Sequence, residues 1–382
     1  MTSTTLTAPA QVSAPPRQPP LPALTGLRTL LALDIILFHF TPPHPHFLSI
    51  FIDNGFVFVG WFFLISGFIL SYNYSPRAGN LVSRDFWLAR FARLYPVYLL
   101  VLLLSLPMLH NEWQAHSHAD FWRGAILTPL LMQGWSPSLA TFWNTVAWTL
   151  SSEVLLYLAF PSIIRGWSRH LPWLNTPARL LTLFLALWLI GMLPHTAYFL
   201  LNPDHLTAPA DRFTYGFWIR FLRYTPFPYI CTFLAGVTLG KLHLVLTLSP
   251  RQRLALTAFG LSALLVAFYA LVPHVPYIFL HGALLLPLFA TLILGLSGPH
   301  PLTTAFSWKP LVLLGETTYC LYLLHFNAFI FIHQWNLPAR LHVASLDPWI
   351  SYVALILLGL AAHHLIENPA RKFILRRATR TA

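Results

Sequence analysis

The sequence has very few charged residues for its length. Only 9% of its 382 residues are Asp, Glu, Lys or Arg, whereas a soluble globular protein carries roughly 25%. Because a soluble fold needs charged side chains to cover its surface, this scarcity excludes an ordinary soluble enzyme. Hydrophobic residues make up 56% of the chain, and the mean hydropathy is +0.62. These values predict an integral membrane protein that crosses the bilayer several times.

Cysteine is almost absent, and the common catalytic motifs of soluble enzymes are missing. Cys231 and Cys320 each lie inside an apolar run and lack the spacing of a metal site or a disulfide framework, so we interpret both as small apolar side chains. His44 and His46 form an H-x-H pair that no cysteine or carboxylate cluster joins. The chain contains no G-x-S-x-G motif, P-loop or Rossmann glycine pattern. We therefore expect no bound metal and no permanently bound cofactor.

Ten apolar runs have about the 20 residues that a transmembrane helix needs. We predict an all-α, polytopic helical bundle of about ten transmembrane helices, within one membrane domain at residues 23–370. Residues 1–22 are predicted to form a disordered cytoplasmic tail, and residues 371–382 a basic cytoplasmic tail. A shorter apolar patch near 125–133 is expected to be re-entrant or interfacial. The predicted spans lie near 23–41, 55–74, 94–110, 142–164, 179–200, 224–243, 253–272, 276–297, 311–333 and 347–366.

Positive charges are distributed unequally between the two sides of this bundle. With the N-terminus inside, 18 of the 23 Lys and Arg residues fall in cytoplasmic segments and 5 fall on the opposite side. This positive-inside bias predicts that both termini are cytoplasmic. The basic residues that give the chain its net charge of +12 therefore mark its cytoplasmic side. Because no Lys/Arg stripe alternates with aromatic residues, we expect no nucleic-acid partner.

The first predicted span contains three ionisable side chains: Arg28, Asp34 and His39. His39 lies eleven positions after Arg28, which is about three helical turns and about 16 Å along the axis, so both point to one helix face. Asp34 lies about 240° from Arg28 and cannot share that face. Ionisable residues inside a membrane usually mark a functional site. The alternative is that Arg28 extends to the interface and His39 is an interfacial histidine with structural partners.

Other predicted spans carry further polar candidates. Glu153 lies in the middle of the fourth span, where a carboxyl group must be protonated, paired or hydrogen-bonded. It is either a site residue or a structural residue whose hydrogen bonds bridge two helices.

In the ninth span, Tyr319, Tyr322 and His325 follow each other at intervals of three and form one polar stripe. A packing role for this stripe is as compatible with the sequence as contact with a substrate.

Three arginines, Arg84, Arg90 and Arg93, precede the third predicted span, in the stretch SRDFWLARFARLYPVY. We interpret this stretch as a cytoplasmic loop in which Arg90 and Arg93 lie one helical turn apart. Arginine side chains at this spacing bind phosphate groups well. The alternative is an ordinary positively charged cytoplasmic loop.

These segments resemble the acyltransferase-3 family of integral membrane O-acyltransferases, from about residue 24 to residue 373. The family's Arg, ten residues, His pattern matches Arg28 and His39, and its acidic residue matches Glu153. Two positions depart from the family pattern: Gly60 replaces a frequent Asp, and Asp34 replaces an apolar residue. The matching motifs are LTGLRTLLALDIILFHF, VGWFFLISGF, RFARLYP, WTLSSEVLLYLAFP, TTYCLYLLH and the terminal IENPARK.

The resemblance implies transfer of an acyl group, often acetyl, from cytoplasmic acyl-CoA to a hydroxyl group of a sugar or related cell-envelope acceptor. Acyl-CoA is then a co-substrate, the acceptor is a glycan or a hydroxylated small molecule, and the protein is expected in the cytoplasmic (inner) membrane of a bacterium. His39 has the chemistry of the general base that an alcohol nucleophile requires. It is equally compatible with a transiently acylated histidine.

The resemblance also implies catalytic or binding roles for the other candidate residues. Arg28 is expected to hold the donor or to stabilise developing charge, and Glu153 is the third catalytic candidate. Arg90 and Arg93 are expected to bind donor phosphates. Substrate or donor contacts are expected from the polar stripe of the ninth span, Tyr319, Tyr322 and His325.

A transporter or flippase is the alternative from another functional class. In that case Arg28, Glu153 and His39 form a proton relay or a substrate pathway across the membrane. Many transporters contain inverted repeats and paired broken spans, and the sequence shows no such internal symmetry. Release of CoA from acyl-CoA by the purified protein distinguishes the two functions.

Overall fold

The computed structural model describes residues 18–380, and these residues form an all-helical bundle without a β-strand. Most of the predicted N-terminal tail, residues 1–17, lies outside the described residues. Eleven helices of eleven residues or more occur in the described part of the chain. They are α1 (Pro22–His39), α2 (Phe58–Tyr74), α3 (Ser83–Leu104), α4 (Trp148–His170), α5 (Pro177–Leu201), α6 (Tyr229–Val245), α7 (Pro250–Val266), α8 (Leu286–Leu296), α9 (Lys309–Gln334), α10 (Trp349–Ala362) and α11 (Asn368–Arg380).

Eight helical segments within residues 18–380 are long and apolar enough to cross a membrane. Two further helices, α4 and α9, have 23 and 26 residues but contain more polar side chains. Large apolar side chains such as Leu103, Leu193 and Leu357 remain exposed on the helices, which is the arrangement expected where helices face lipid. The polytopic membrane fold is confirmed, while ten spans and two cytoplasmic termini stay predictions.

The third span was placed wrongly by the sequence interpretation. Helix α3 begins at Ser83 rather than near residue 94, so Arg84, Arg90 and Arg93 belong to a helix and not to a loop. Asp85 lies in the first turn of α3, where a negative charge interacts favourably with the helix dipole. Pro96 lies inside the helix without ending it. The predicted boundary followed the apolar residues and therefore missed the charged first turns.

The end of the tenth span also differs from the prediction. The span was predicted to end near residue 366, but α10 continues through a π-helical turn, His363–Glu367, directly into α11. A π-turn inserts one extra residue into a helix and is frequent at functional sites. Here it turns both His363 and Glu367 into the protein, where they are 7% and 3% exposed.

The patch near residues 125–133 folds into the protein rather than forming a span. The helix His118–Leu127 is followed by an irregular segment that reaches Trp148. Side chains of neighbouring helices bind this segment: Tyr98 donates to the Thr128 carbonyl at 2.6 Å, and Ser151 donates to the Leu131 carbonyl at 2.7 Å. The segment is therefore held between α3 and α4.

Two close helix crossings set the positions of the site helices. A Cβ atom on Gly236 of α6 would lie 2.1 Å from the Leu64 carbonyl oxygen of α2, and one on Gly315 of α9 would lie 2.1 Å from the Thr25 carbonyl oxygen of α1. Only glycine permits such contacts, as is common between membrane helices. Gly67 of α2 makes a similar close contact, since a Cβ atom there would lie 2.2 Å from the Phe233 carbonyl oxygen of α6.

Candidate active site

A cavity of about 150 Å³ lies between helices α1, α2, α3, α4 and α9. Apolar side chains, among them Ile35, Val59 and Phe62, form part of its wall. The polar part contains six of the eight predicted site residues: Arg28, Arg90, Arg93, Glu153, Tyr319 and Tyr322. The structure thus brings together residues that lie up to 294 positions apart in the sequence.

Arg28 projects from α1 towards α9 at the polar part of the cavity. One terminal nitrogen donates a hydrogen bond of 3.1 Å to the Thr318 hydroxyl. Its Nε atom is buried and has no hydrogen-bond partner among the described residues. A buried donor without a partner is unfavourable, so the guanidinium is ready to bind an anionic or carbonyl oxygen of a ligand.

Glu153 faces Arg28 from α4. The hydroxyl groups of Ser66 and Tyr157 lie 3.0 Å from each other, and both line the cavity together with Glu153. Arg28 and Arg93 are close enough to interact with the Glu153 carboxyl group electrostatically. The Ser66–Tyr157 hydrogen bond links α2 and α4 in the cavity wall that contains Glu153, and the structure allows both the bridging role and the site role that the sequence suggested for Glu153.

Arg90 and Arg93 lie on one face of α3 and both line the cavity. The Nε atom of Arg93 is 3.6 Å from Oε1 of Glu367, whereas the buried Nε atom of Arg90 has no partner among the described residues. The cavity lining contains three arginines and one carboxyl group, that of Glu153. This excess of positive charge suits an anionic ligand.

Glu367 is a residue whose position the sequence analysis missed. Its Oε2 atom accepts hydrogen bonds from Nδ1 of His363 at 2.7 Å and from Sγ of Cys320 at 3.2 Å. Cys320 is therefore not simply an apolar filler. The Asn368 amide donates to Nε2 of His363 at 3.0 Å. In the sequence, the H-x-x-x-E spacing of His363 and Glu367 indicates that these two side chains can meet on one helix face. The other partners of Glu367, Arg93 and Cys320, are far away in the sequence and could not be identified in this way.

Cys320, His363 and Glu367 also form a group of three potential metal ligands in the described part of the chain. Their potential ligand atoms lie within 4.8 Å of one another. Each of these side chains already has a hydrogen-bond partner within the cluster, and Glu367 also pairs with Arg93. The cluster is therefore satisfied by protein groups alone and serves to hold α3, α9 and the π-turn together.

Tyr319 and Tyr322 both line the cavity but make different contacts. Tyr319 donates a hydrogen bond of 2.5 Å to the Leu94 carbonyl of α3. Tyr322 receives a hydrogen bond of 3.4 Å from the Thr149 hydroxyl of α4. Both tyrosines therefore join α9 to a neighbouring helix, and the wall that they form is rigid.

His39 and His325 lie one turn beyond the cavity, towards the C-terminal ends of α1 and α9. Neither contributes to the cavity lining. Their Nδ1 and Nε2 atoms, respectively, are 3.3 Å apart. The carbonyl of Ile35, a residue that does line the cavity, accepts a hydrogen bond from Nδ1 of His39 at 2.8 Å. Arg28 and His39 thus share the α1 face that contacts α9, as predicted.

Asp34 lies away from this face, as predicted from its position in the helix. Its Oδ2 atom has no hydrogen-bond partner among the described residues. It lies against Gly55, where a Cβ atom would be 2.9 Å from the carboxylate oxygen. Arg212, on the loop before α6, donates to the Phe38 carbonyl at 3.2 Å and is the charged side chain that influences His39.

The sequence model of a known family, the acyltransferase domain, matches residues 21–365. The chain belongs to the acyltransferase-3 family. It is accordingly an acyltransferase with a multi-pass membrane domain. The transporter interpretation is thereby rejected.

Curated relatives agree with this membership. Acyltransferase MdmB of Streptomyces mycarofaciens is 27% identical, over 95% of this chain and 95% of its own length. O-acetyltransferase OatA of Staphylococcus aureus is 24% identical over 92% of this chain, and peptidoglycan O-acetyltransferase OatA of Listeria monocytogenes is 23% identical over 92%. The chain spans 57% and 56% of these two longer relatives. No solved structure matches the chain.

Proposed function

We propose that this acyltransferase moves an acyl group, acetyl in the simplest case, from cytoplasmic acyl-CoA to a hydroxyl group of a cell-envelope glycan or a related acceptor. The observation that carries the proposal is the order of groups along α1 and α9. The arginine-rich cavity lies towards the N-terminal ends of these two helices, and His39, which has a ring nitrogen without a partner among the described residues, lies towards their C-terminal ends. This order suits a donor that enters from the arginine end and an acceptor that arrives at His39.

The donor site is proposed at the arginine end of the cavity. CoA carries several phosphate groups, and the guanidinium groups of Arg90 and Arg93 can form paired hydrogen bonds with phosphate oxygens. Arg28 lies about 16 Å along α1 from His39, so it is better placed to hold the donor than to stabilise charge at the reacting carbonyl. The apolar wall near Ile35 and Val59 suits the less polar pantetheine arm.

The chemical step is proposed at His39. Nε2 of His39 removes the proton from the acceptor hydroxyl while the hydroxyl oxygen attacks the thioester carbonyl carbon. A C–O bond forms and the C–S bond breaks. The proton on His39 then passes to the departing CoA sulfur, so the products are the ester and CoA thiol, and His39 returns to its neutral form.

We propose that the acceptor is an extracytoplasmic glycan and that the protein lies in the cytoplasmic membrane. Two relatives are named O-acetyltransferases, and one of these names specifies peptidoglycan. The positive-inside distribution supports an orientation in which the arginine end of the cavity faces the cytoplasm, where acyl-CoA is found, and His39 lies near the other surface.

Purified protein in detergent with isotopically labelled acetyl-CoA tests this proposal. The assay measures CoA thiol release and the mass of three acceptors: peptidoglycan disaccharide fragments, a lipid-linked disaccharide and a hydroxylated macrolide. We expect CoA release that equals the formation of an alkali-labile acetyl ester on an envelope sugar. Acetylation of the macrolide alone would contradict the glycan acceptor. No CoA release with any acceptor, together with no acetyl-CoA binding, would contradict the acyl-CoA donor.

A further inference from the structure

The two buried histidines His39 and His325 form a hydrogen-bonded pair whose proton positions follow from their partners. Nδ1 of His39 is 2.8 Å from the Ile35 carbonyl oxygen, and Nδ1 of His325 is 2.6 Å from the Tyr322 carbonyl oxygen. A carbonyl oxygen only accepts hydrogen bonds, so each Nδ1 carries a hydrogen. In the neutral pair, Nε2 of both rings is therefore unprotonated.

These proton positions determine which of the two histidines donates the hydrogen bond between the rings. Nδ1–H of His39 points to the Ile35 carbonyl oxygen and also to the lone pair on Nε2 of His325, 3.3 Å away. The remaining nitrogen of His39, Nε2, keeps a free lone pair. His39 is thus oriented so that its basic nitrogen faces away from His325 and is available to a hydroxyl group.

We propose that His325 is a positioning residue that accepts a hydrogen bond from Nδ1–H of His39 and stabilises this ring when Nε2 takes a proton. The inference rests on the proposed function of His39 and deepens it. A hydrogen bond from a charged donor is stronger than one from a neutral donor. His325 therefore favours the protonated form of His39 that arises during the attack of the acceptor.

The surroundings of His325 fit this role better than contact with a substrate. The ring is 0% exposed and both of its nitrogens are engaged by protein groups. Asn144 donates to the Leu323 carbonyl at 3.1 Å, and Asn327 donates to the Ser105 hydroxyl at 2.8 Å. These two bonds fix α9 two residues before and two residues after His325, so the ring is held firmly against His39.

Among residues 18–380, few charged groups act on this pair. Arg212, on the loop before α6, is the cation that influences His39, and His39 is the titratable neighbour of His325. Asp34 lies on the other side of α1, against Gly55. A change at residue 325 therefore alters the hydrogen bond to His39 while Arg212 and Asp34 keep their contacts.

Two substitutions test the proposal: His325→Leu removes the acceptor, and His325→Gln retains an acceptor oxygen of similar reach. The first measurement follows the modification of His39 by diethyl pyrocarbonate as a function of pH, with mass spectrometry of the His39 peptide. This reagent attacks an unprotonated ring nitrogen. With Leu, the protonated form loses its partner, so the midpoint of the curve moves to lower pH. With Gln, we expect the midpoint to stay near that of the unsubstituted protein.

The second measurement is steady-state acetyl transfer from acetyl-CoA to peptidoglycan disaccharide fragments. We expect His325→Leu to lower kcat about ten- to a hundredfold, which corresponds to one hydrogen bond to a charged group, with an unchanged KM for the acceptor. His325→Gln should restore most of this loss. A Leu variant with unchanged kcat and midpoint would overturn the proposal, as would a raised acceptor KM with unchanged kcat, because that indicates substrate contact.

The two measurements separate this inference from the proposed function. Modification of His39 needs neither donor nor acceptor, so its pH curve reports the contact with His325 even if the protein uses another acyl donor. Absence of acetyl transfer in the unsubstituted protein would count against the proposed function. Equal midpoints in the Leu and Gln variants would count against the role of His325.

Discussion

At the scale of single residues, the account depends on arginines that bind the donor and on one basic histidine. Arg28 and His39 are ionisable side chains in an apolar span, and helix geometry predicted that they share one face. Their contacts with Thr318 and His325 confirm that both face α9. The contacts of Glu367 with Arg93 and Cys320 were not predictable. They join residues 274 and 47 positions apart in sequence, and periodicity within a helix contains no information on such distant partners.

Replacing Arg90 by Lys should weaken acetyl-CoA binding. Lysine keeps the charge but loses the planar pair of donors that a phosphate group accepts. We expect about a tenfold higher Kd, the equivalent of one weakened charged hydrogen bond, measured by isothermal titration calorimetry in detergent. Arg84→Lys is the matched control because Arg84 lies on the same helix, is exposed and does not line the cavity. Equal affinity in all three proteins would leave Arg90 as an ordinary positive charge at the membrane surface.

Replacing His39 should abolish most acyl transfer while the protein still folds. His39→Ala is expected to lower kcat by about two to four orders of magnitude, the usual contribution of a general base, with little change in acetyl-CoA affinity because the donor site lies at the other end of α1. His39→Gln is the stricter variant, since glutamine forms hydrogen bonds but does not take up the proton. Turnover of the Gln variant close to normal would reduce His39 to a positioning residue.

At the scale of helices, the order and approximate positions of the long segments were predictable, but several ends were not. Apolar length located α1, α2 and α5 within a few residues. It failed at α3, whose first turns are charged, and at the π-turn after α10. In both places tertiary contacts around Arg93 and Glu367 stabilise a helix that hydropathy alone does not indicate.

The crossing of α1 and α9 provides a test at this scale. In Gly315→Ala the new Cβ atom would lie 2.1 Å from the Thr25 carbonyl oxygen, whereas at Gly166 of α4 a Cβ atom meets no atom within 4 Å. We expect Gly315→Ala to lower stability by about 1–3 kcal/mol through overpacking, and to impair transfer because the His39–His325 pair separates. Gly166→Ala should be neutral or stabilise by up to about 1 kcal/mol. Thermal unfolding in detergent measures both, and equal melting temperatures would contradict the close crossing.

At the scale of the whole molecule, the proposed reaction requires that the arginines of the cavity and His39 face opposite sides of the membrane. Tyr72 at the end of α2 donates to the Pro19 carbonyl, so the end of α2 and the start of α1 lie on one side. Tyr269 donates to the Phe47 carbonyl, which puts the loop after α1 and the end of the α7 segment together on the other side. These contacts agree with the alternation that the positive-inside distribution predicts.

Reporter fusions test this topology directly. Fusions after residue 43 and within 273–275 should report an extracytoplasmic location, because both positions lie on the His39 side. Fusions at residues 80 and 380 should report the cytoplasm. The measurement is the activity of a reporter that functions on one side of the membrane only. An extracytoplasmic signal at residue 380 would contradict an even number of spans.

The most direct test of the central claim is acyl transfer across a sealed membrane. Protein is reconstituted in vesicles, labelled acetyl-CoA is added outside, and peptidoglycan disaccharide fragments are trapped inside, with His39→Gln vesicles as the control. The account predicts CoA thiol outside and labelled acetyl ester inside, in equal amounts, from molecules whose arginine end faces outward, and almost none with the Gln variant. Label that appears inside at the same rate in both proteins, or CoA release without any acetylated sugar, would contradict the account.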